Sequence, residues 1–395
     1  MTAHFDVAVV GLGAMGSAAI SHLSARGVKV IGIDAYYPAH ALSSSHGDSR
    51  LIRLGYFEDP SYVPLLLRAY ANWRALEARL REDILTITGV LQIGKPDSKI
   101  VSGTRKSCNL HDLPLETLGP DEMRRRFPVF SLDEDEVALL DPQGGYLRPE
   151  AAVMGYLKLA AADGAALHFG EKVTAVEPSE TGVSIVSDTG RYTAAKVIVA
   201  TGSWIGELVP ALRDHAVPIK QVVAWYQPTD GFVTQPQRMP VFIRDEGDNG
   251  SFFGFPAIGV DGVKVGRHAH FREPIDPNQP NPAVNERDTN LLDSFIRHRL
   301  PAAAGLRVRS TTCRYTMLPS EDFLLDLVPG NKRIVVASPC SGHGFKFTSV
   351  VGEILADLAL DGGTDLPIDA FSFEAMDRFL RPAKGSPPAL AGASV

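Results

Sequence analysis

Several features are scarce in this chain of 395 residues, and each scarcity excludes something. Cysteine occurs only at Cys108, Cys313 and Cys340. A low, odd count is no disulfide scaffold and fits a reducing compartment, the cytoplasm. No stretch offers about 18 consecutive apolar residues, so no transmembrane helix is expected. Residues Met1 to Asp6 carry no basic cluster, and the apolar run after them leads straight into a glycine motif. That run reads as a core strand, not a secretory leader. The terminal Ala-Ser-Val matches no peroxisomal or ER address. Positive charge is in deficit, with 39 Lys and Arg against 46 Asp and Glu for a net −7. Nucleic acid and anionic membrane are therefore not expected partners. With 45% hydrophobic residues the chain can bury a large core, and two domains are expected.

The N-terminus reads as strand, glycine turn, helix, strand. Phe5 to Val10 is apolar apart from Asp6, Gly11-Leu-Gly13-Ala-Met-Gly16 follows, then helical spacing over Ser17 to Arg26 and a strand over Val28 to Ile33. Gly11 permits the tight turn, Gly13 lets a pyrophosphate approach the helix N-terminus, and Gly16 lets helix and strand pack closely. Asp34 ends the second strand, where a carboxylate can accept from ribose hydroxyls. A dinucleotide site is the reading; a glycine-rich turn in an empty α/β fold is the bland one.

A second β-α-β pattern opens at Pro149 and Glu150, which suit a helix start. The helix runs to about Ala162 with Gly164 as its cap, and strands follow at Ala166–Phe169, Val173–Glu177 and Lys196–Ala200. The last enters Ala200-Thr-Gly202-Ser-Trp204, where a backbone can pass a cofactor. Near the end, a strand at Arg333–Ala337 meets Cys340-Ser-Gly342-His-Gly344-Phe-Lys346-Phe, and a helix spans Thr348 to Leu360. Dinucleotide-fold pieces thus occupy 1–85, 147–215 and 318–380. Between them, 86–146 and 216–317 carry alternating β patterns such as Val217–Tyr226 and Ser251–Phe255, and a helix at Arg287–Arg299. The expected architecture is α/β + β: a discontinuous Rossmann-like domain with an inserted, largely antiparallel β substrate and catalytic domain. Residues 381–395, rich in Ala, Pro, Gly and Ser, are expected to be disordered.

Candidate chemistry gathers in four places. His46, Arg50 and Arg53 fall at i, i+4 and i+7, so on a helix they share a face. Such a stripe suits an anion or an electron-rich ring, or simply a solvated surface. Asp261-Gly-Val-Lys264-Val-Gly-Arg267-His268 reads as a hairpin turn and its return strand. Alternation puts Lys264 and His268 on one face; a buried Lys beside a His is costly unless used, whereas an exposed pair is unremarkable. The Gly342 to Phe347 loop can aim backbone N–H groups at a ligand, with Lys346 adding charge, or it is an ordinary connection. Cys313 has an Arg beside it, as a reactive thiolate needs, though a lone Cys is more often a small buried hydrophobe.

Taken together, His46-Gly-Asp-Ser-Arg50-Leu-Ile-Arg53, the Lys264–His268 strand, Cys313-Arg-Tyr315 and Ser341-Gly-His-Gly-Phe-Lys346-Phe resemble the monomeric sarcosine oxidase and N-methyltryptophan oxidase family, among the D-amino-acid-oxidase-like FAD enzymes. The resemblance spans the chain to about residue 380. It implies FAD joined by an 8α-thioether to Cys313, with His46 and Arg50 beside the flavin ring. Arg53 and Lys346 match the pair that clamps a substrate carboxylate, Lys264 the lysine that activates oxygen, and His268 and Tyr315 residues around the substrate. Cofactor contacts are expected at Gly11, Gly13, Gly16, Asp34, Ser45 and Arg50, and further along at Val173, Gly202, Cys313, Gly342, Gly344 and Lys346. No metal is expected. Phe253 stands where sarcosine-specific members have a tyrosine, which removes a hydroxyl near the substrate. The implied activity is oxidation of sarcosine or a related N-methyl amino acid by O2 and water, giving the demethylated amino acid, formaldehyde and H2O2, in a monomeric enzyme. A bulkier or cyclic substrate, N-methyltryptophan-like or pipecolate-like, is the alternative. An NAD-dependent dehydrogenase built on the Gly11 motif and a flavoprotein that only binds are the remaining readings.

Overall fold

A computed structural model of the chain describes residues 4–380; the expectation for the tail 381–395 lies outside them. Its first sheet has a parallel centre. His4–Val10 lies between Val30–Asp34 and Arg191–Val199, with Ala166–Phe169 and Asn331–Ala337 added in parallel on the two sides. These strands are apolar because both faces are covered. On one face the helices Ala14–Ala25, Pro149–Ala162 and Thr348–Leu360 pack in a common core. The first helix is made of small residues and buried on most sides, so neighbours approach it closely. A Cβ built on Gly16 would stand 1.7 Å from the carbonyl oxygen of Gly11, so only glycine lets this helix start so near the strand.

The second sheet draws its strands from residues 90–141 and 217–317, in the order Arg307–Met317, Val217–Tyr226, Val263–Arg267, Ser251–Phe255, Val241–Asp245, Val90–Gly94, Val137–Asp141, Glu116–Leu118. It is antiparallel apart from the pair Val241–Asp245 and Val90–Gly94. Helix Glu286–Arg299 covers one face and begins with a capping box. Asn285 accepts from the Asp288 N–H, and the Asp288 carboxylate accepts from the Asn285 N–H, which satisfies two otherwise orphaned donors.

Some local expectations are corrected. Arg50–Ile52 is a strand, paired with Gly145–Leu147, which also pairs Leu85–Ile87. His46, Arg50 and Arg53 therefore do not share a helix face; long-range pairing overrides a spacing that only resembled a helix. The turn before Lys264 is not a tight hairpin. A loop over 256–262 joins Ser251–Phe255 to Val263–Arg267, with Gly259 and Gly262 at positive φ. A strand at Val183–Ser187 was not anticipated. Among the described residues, no helix is long and apolar enough to cross a membrane.

Candidate active site

A cavity of about 1140 Å³ runs from the glycine turn to the second sheet. At its first end lie Gly11, Gly13, Asp34, Ser45, Val173 and Gly202. Gly13 caps the first helix without any side-chain bond, so the helix N-terminus can bind an anion. Asp34 accepts from the N–H groups of Leu12 at 2.6 Å and Tyr36 at 2.8 Å. Burial raises its carboxyl, and those two donors hold it down in part. Thr201 Oγ1 and His40 Nδ1 are buried here with no partner. Unpartnered polar atoms beside an uncapped helix suit a dinucleotide with hydroxyls and phosphates. By these tests the residues fit FAD.

Basic side chains dominate the middle of the cavity. Arg50 donates to the carbonyl oxygens of Ser49 (2.8 Å), Ser44 (2.9 Å) and His46 (2.6 Å), bracing the 44–49 loop. Glu150, distant in sequence at the start of the helix Pro149–Ala162, accepts from the N–H groups of Gly47 and Asp48. Lys264 is buried and spends its protons on Gly47 O (2.6 Å), Ser49 O (3.0 Å) and Ser49 Oγ (3.2 Å). All three partners are neutral. Burial, and then the charge of Arg50, bring its ammonium down to about 7. The Cys313 thiol is buried against the same pair. Burial pushes it up, while Arg50 and Lys264 pull the other way. Cys340 also lines the cavity, whereas Cys108 does not and is pushed up to about 12 by burial.

At the far end stand Arg53 and Lys346. Arg53 is 1% exposed. Its guanidinium lies 4.3 Å from the Tyr56 ring and 4.4 Å from that of Phe57, and it grips both oxygens of Glu58 at 2.6 and 2.7 Å. Burial would raise Glu58, but Arg53, His343 and Lys346 overcome it and hold the carboxyl near 2. Lys346 donates to the His343 carbonyl at 2.5 Å. Burial and then Arg53 lower it to about 7, Glu58 opposing. His343 bridges Tyr56 OH (2.6 Å) and the Glu321 carbonyl (2.9 Å); burial lowers it to about 4. The rings of His268 and Tyr315, 5.6 Å apart, border this end. Gly342, at φ +77°, leaves them room, since a Cβ there would lie 2.6 Å from His268 and 2.7 Å from Tyr315.

The cavity thus brings together Arg50, Arg53, Phe253, Lys264, His268, Cys313, Tyr315, Gly342, Gly344 and Lys346 with the dinucleotide turn. Two expected residues do not line it. Gly16 is buried within the first helix against Gly11, and the His46 ring turns to Glu150 at 3.6 Å. Residues not anticipated are Tyr56, Glu58, Ser49 and His343. The last two lie inside segments already singled out, and Tyr56-Phe-Glu58 follows Arg53 past Leu54 and Gly55, an acid and aromatics near a cation.

A sequence model of the DAO family, FAD-dependent oxidoreductases, matches residues 6–358. The monomeric sarcosine oxidase of Streptomyces avermitilis is 40% identical over 379 residues, 94% of this chain and 97% of its own. The N-methyl-L-tryptophan oxidase of Yersinia pestis is 38% identical over 370 residues, 93% and 98% of the two chains. The open form of NikD, an unusual amino acid oxidase essential for nikkomycin biosynthesis, superposes with a TM-score of 0.83 at 27% identity, covering 94% and 98%. L-proline dehydrogenase from P. horikoshii shares the fold, with a TM-score of 0.83 at 19% identity over 96% and 99%. The nicotinamide alternative falls with these matches: the chain belongs to the DAO family of FAD-dependent oxidoreductases, in the group of the sarcosine and N-methyltryptophan oxidases.

Proposed function

We propose that this chain oxidises the C–N bond of a small secondary amino acid, with sarcosine or a related N-methyl amino acid giving the demethylated amino acid, formaldehyde and H2O2. The observation that carries it is one cavity holding two separate pairs of cations, buried Arg53 with buried Lys346 and half-buried Arg50 with buried Lys264, joined to a dinucleotide turn. FAD, when bound, supplies the electron acceptor for the amine and the electron donor for O2. Arg53 and Lys346 hold the substrate carboxylate, the planar guanidinium donating to it at two points. The Arg53 Nε–H is buried without a partner, and a two-point grip on the incoming carboxylate draws on that donor together with the Nη2 group now held by Glu58. The same cations disfavour a protonated amine and so favour its reactive neutral form. Orientation by the clamp lowers the barrier further, with His268 and Tyr315 fixing the other side. Lys264 is the spare charge for oxygen. Cys313, between Arg50 and Lys264, is the thiol that holds the flavin, and Gly11, Gly13, Asp34, Ser45, Val173 and Gly202 cradle the rest of it. A monomer in the cytoplasm accords with the name of the Streptomyces relative and with three free cysteines.

Phe253, partly buried in the cavity wall, presents a ring and no hydroxyl. It favours a bulkier apolar N-methyl amino acid as the second reading. A panel of N-methyl and cyclic amino acids scored by peroxide release separates the two, and no peroxide with any of them would sink both. Mass analysis of a digest locates the flavin; a free flavin, or one on Cys340 or Cys108, would overturn the Cys313 assignment.

A further inference from the structure

Lys264 borders a second cavity, of about 180 Å³, which neither Arg53 nor Lys346 lines. Only Ser49, Phe255 and Lys264 line both spaces. In the sheet, Lys264 stands in register between Trp225 and Phe255, its ammonium 5.5 and 4.7 Å from their rings. Trp225 faces the smaller cavity alone. The Gly47–Ser49 turn accepts the protons of Lys264; within it Ser49 lines both spaces and Asp48, at φ +68°, only the smaller.

The smaller cavity opens outward. Val260, on its rim, is 88% exposed. Across the mouth, Arg309 pairs with Asp48 from one lip and with Asp261 from the other, the latter at 2.7 Å, and its guanidinium lies 3.7 Å over Trp225. All three charged groups are partly exposed, and exposed pairs of this kind contribute only about 0–1 kcal/mol, so the strap opens readily. The space falls below the roughly 300 Å³ at which sites for ordinary small molecules begin. Trp225, Phe255, Ile258 and Val260 share its lining with Asp48, Ser49, Asp261 and Lys264, so its small size and the two carboxylates at its mouth disfavour an amino acid carboxylate while a small neutral molecule passes.

We propose that this second cavity is the port by which dioxygen reaches Lys264, separate from the entrance used by the substrate. The inference rests on Lys264 being the oxygen-directed cation. Oxygen then arrives while an amino acid still occupies the clamp, because the two spaces share only Ser49, Phe255 and Lys264 and no residue of the clamp.

The test uses the flavin-loaded enzyme. Crystals under xenon pressure should show xenon in the smaller cavity, and Ile258→Trp should displace it. In stopped flow, Ile258→Trp should slow reoxidation by O2 about fivefold or more and leave anaerobic reduction by substrate within about twofold, as a gate on one path requires. Val260→Trp, at an exposed rim position that leaves the fold intact, should slow reoxidation in the same direction and carries the test if Ile258→Trp does not fold. Unchanged reoxidation in a variant that has lost its xenon overturns the port, as does equal slowing of both half-reactions. Unchanged reoxidation in Lys264→Met instead overturns the oxygen role of that lysine, so the two failures are distinguishable.

Discussion

Lys220 on strand Val217–Tyr226 and Lys264 on its neighbour Val263–Arg267 are both 3% exposed, in one sheet. Lys220 meets Asp288 at 2.5 Å, and Asp288 in turn meets His270 at 3.0 Å. Lys264 meets only two carbonyls and a hydroxyl. A buried charge without an opposite charge is expensive unless used. The structural lysine has its charge paired on the spot, while the other, brought to about 7 with no counter-charge, is held in its charged form by whatever anion develops beside it. Burial depth alone does not distinguish them; the partner does. Arg53 and Lys346 fall between the two, since Arg53 has a counter-charge in Glu58 that a substrate carboxylate can replace.

The sharpest way to break the comparison is Lys264→Met. Reoxidation by O2 should fall by about 10²–10³, as when a preorganised charge facing a developing anion is removed. Anaerobic reduction should stay within about tenfold, because no charge develops on oxygen in that step. Stability should change little, since relief of a lone buried charge offsets carbonyl oxygens left without a donor. Stopped flow on both half-reactions and a urea melt check this; equal slowing of both steps would make Lys264 a substrate or packing residue.

Lys220→Met should do the reverse. It strands the Asp288 carboxylate and should cost about 3 kcal/mol of stability, with turnover per folded molecule within about twofold. Adding Asp288→Asn, which keeps the helix cap but removes the charge, should recover more than half of the loss. No recovery in the double variant would mean that packing, not charge, sets the cost.

Arg53→Met tests the intermediate case. Losing a charge-assisted pair should weaken acetate-type inhibitors and raise the apparent KM by roughly 10- to 100-fold, about 1.5–3 kcal/mol. Inhibition that is unchanged would remove Arg53 from the clamp.

How far all this was readable from sequence depends on whether a feature is local. The glycine turn, the strand Val217–Tyr226 and the helices from Pro149 and Thr348 follow from glycine placement, period and start signals within each segment. The strand Arg50–Ile52 was not legible, because cations at i, i+4 and i+7 would share a face only on a helix and the strand's partner lies near residue 145. The turn of His46 toward Glu150 is likewise a contact between distant segments. Val183–Ser187 alternates buried and partly buried residues and was legible in principle. The grip of Glu58 on Arg53 was not, because it depends on a loop folding back on itself, which no periodicity records.

The smallest effect expected is one of pH, and it separates the two cations of the clamp. Lys346 is brought to about 7 by burial and by Arg53, whereas a carboxylate bound beside it favours the charged form and raises its pKa. Below pH 7 Lys346 is already protonated, so the affinity for an acetate-type inhibitor should be flat there. Above pH 7 the free protein loses the proton that the complex keeps. Binding then takes up a proton, and affinity should weaken as pH rises, by at most about tenfold per unit. The weakening ends where the pKa of the complex is passed. Such an inhibitor has no amine, so substrate titration does not interfere. In Lys346→Met the affinity should be lower at pH 6.5 than in the parent and should lose this slope. Inhibitor titrations from about pH 6 to 9 measure both. A slope that survives in Lys346→Met would move the titrating group elsewhere, and affinity rising with pH would contradict a carboxylate site built on this lysine.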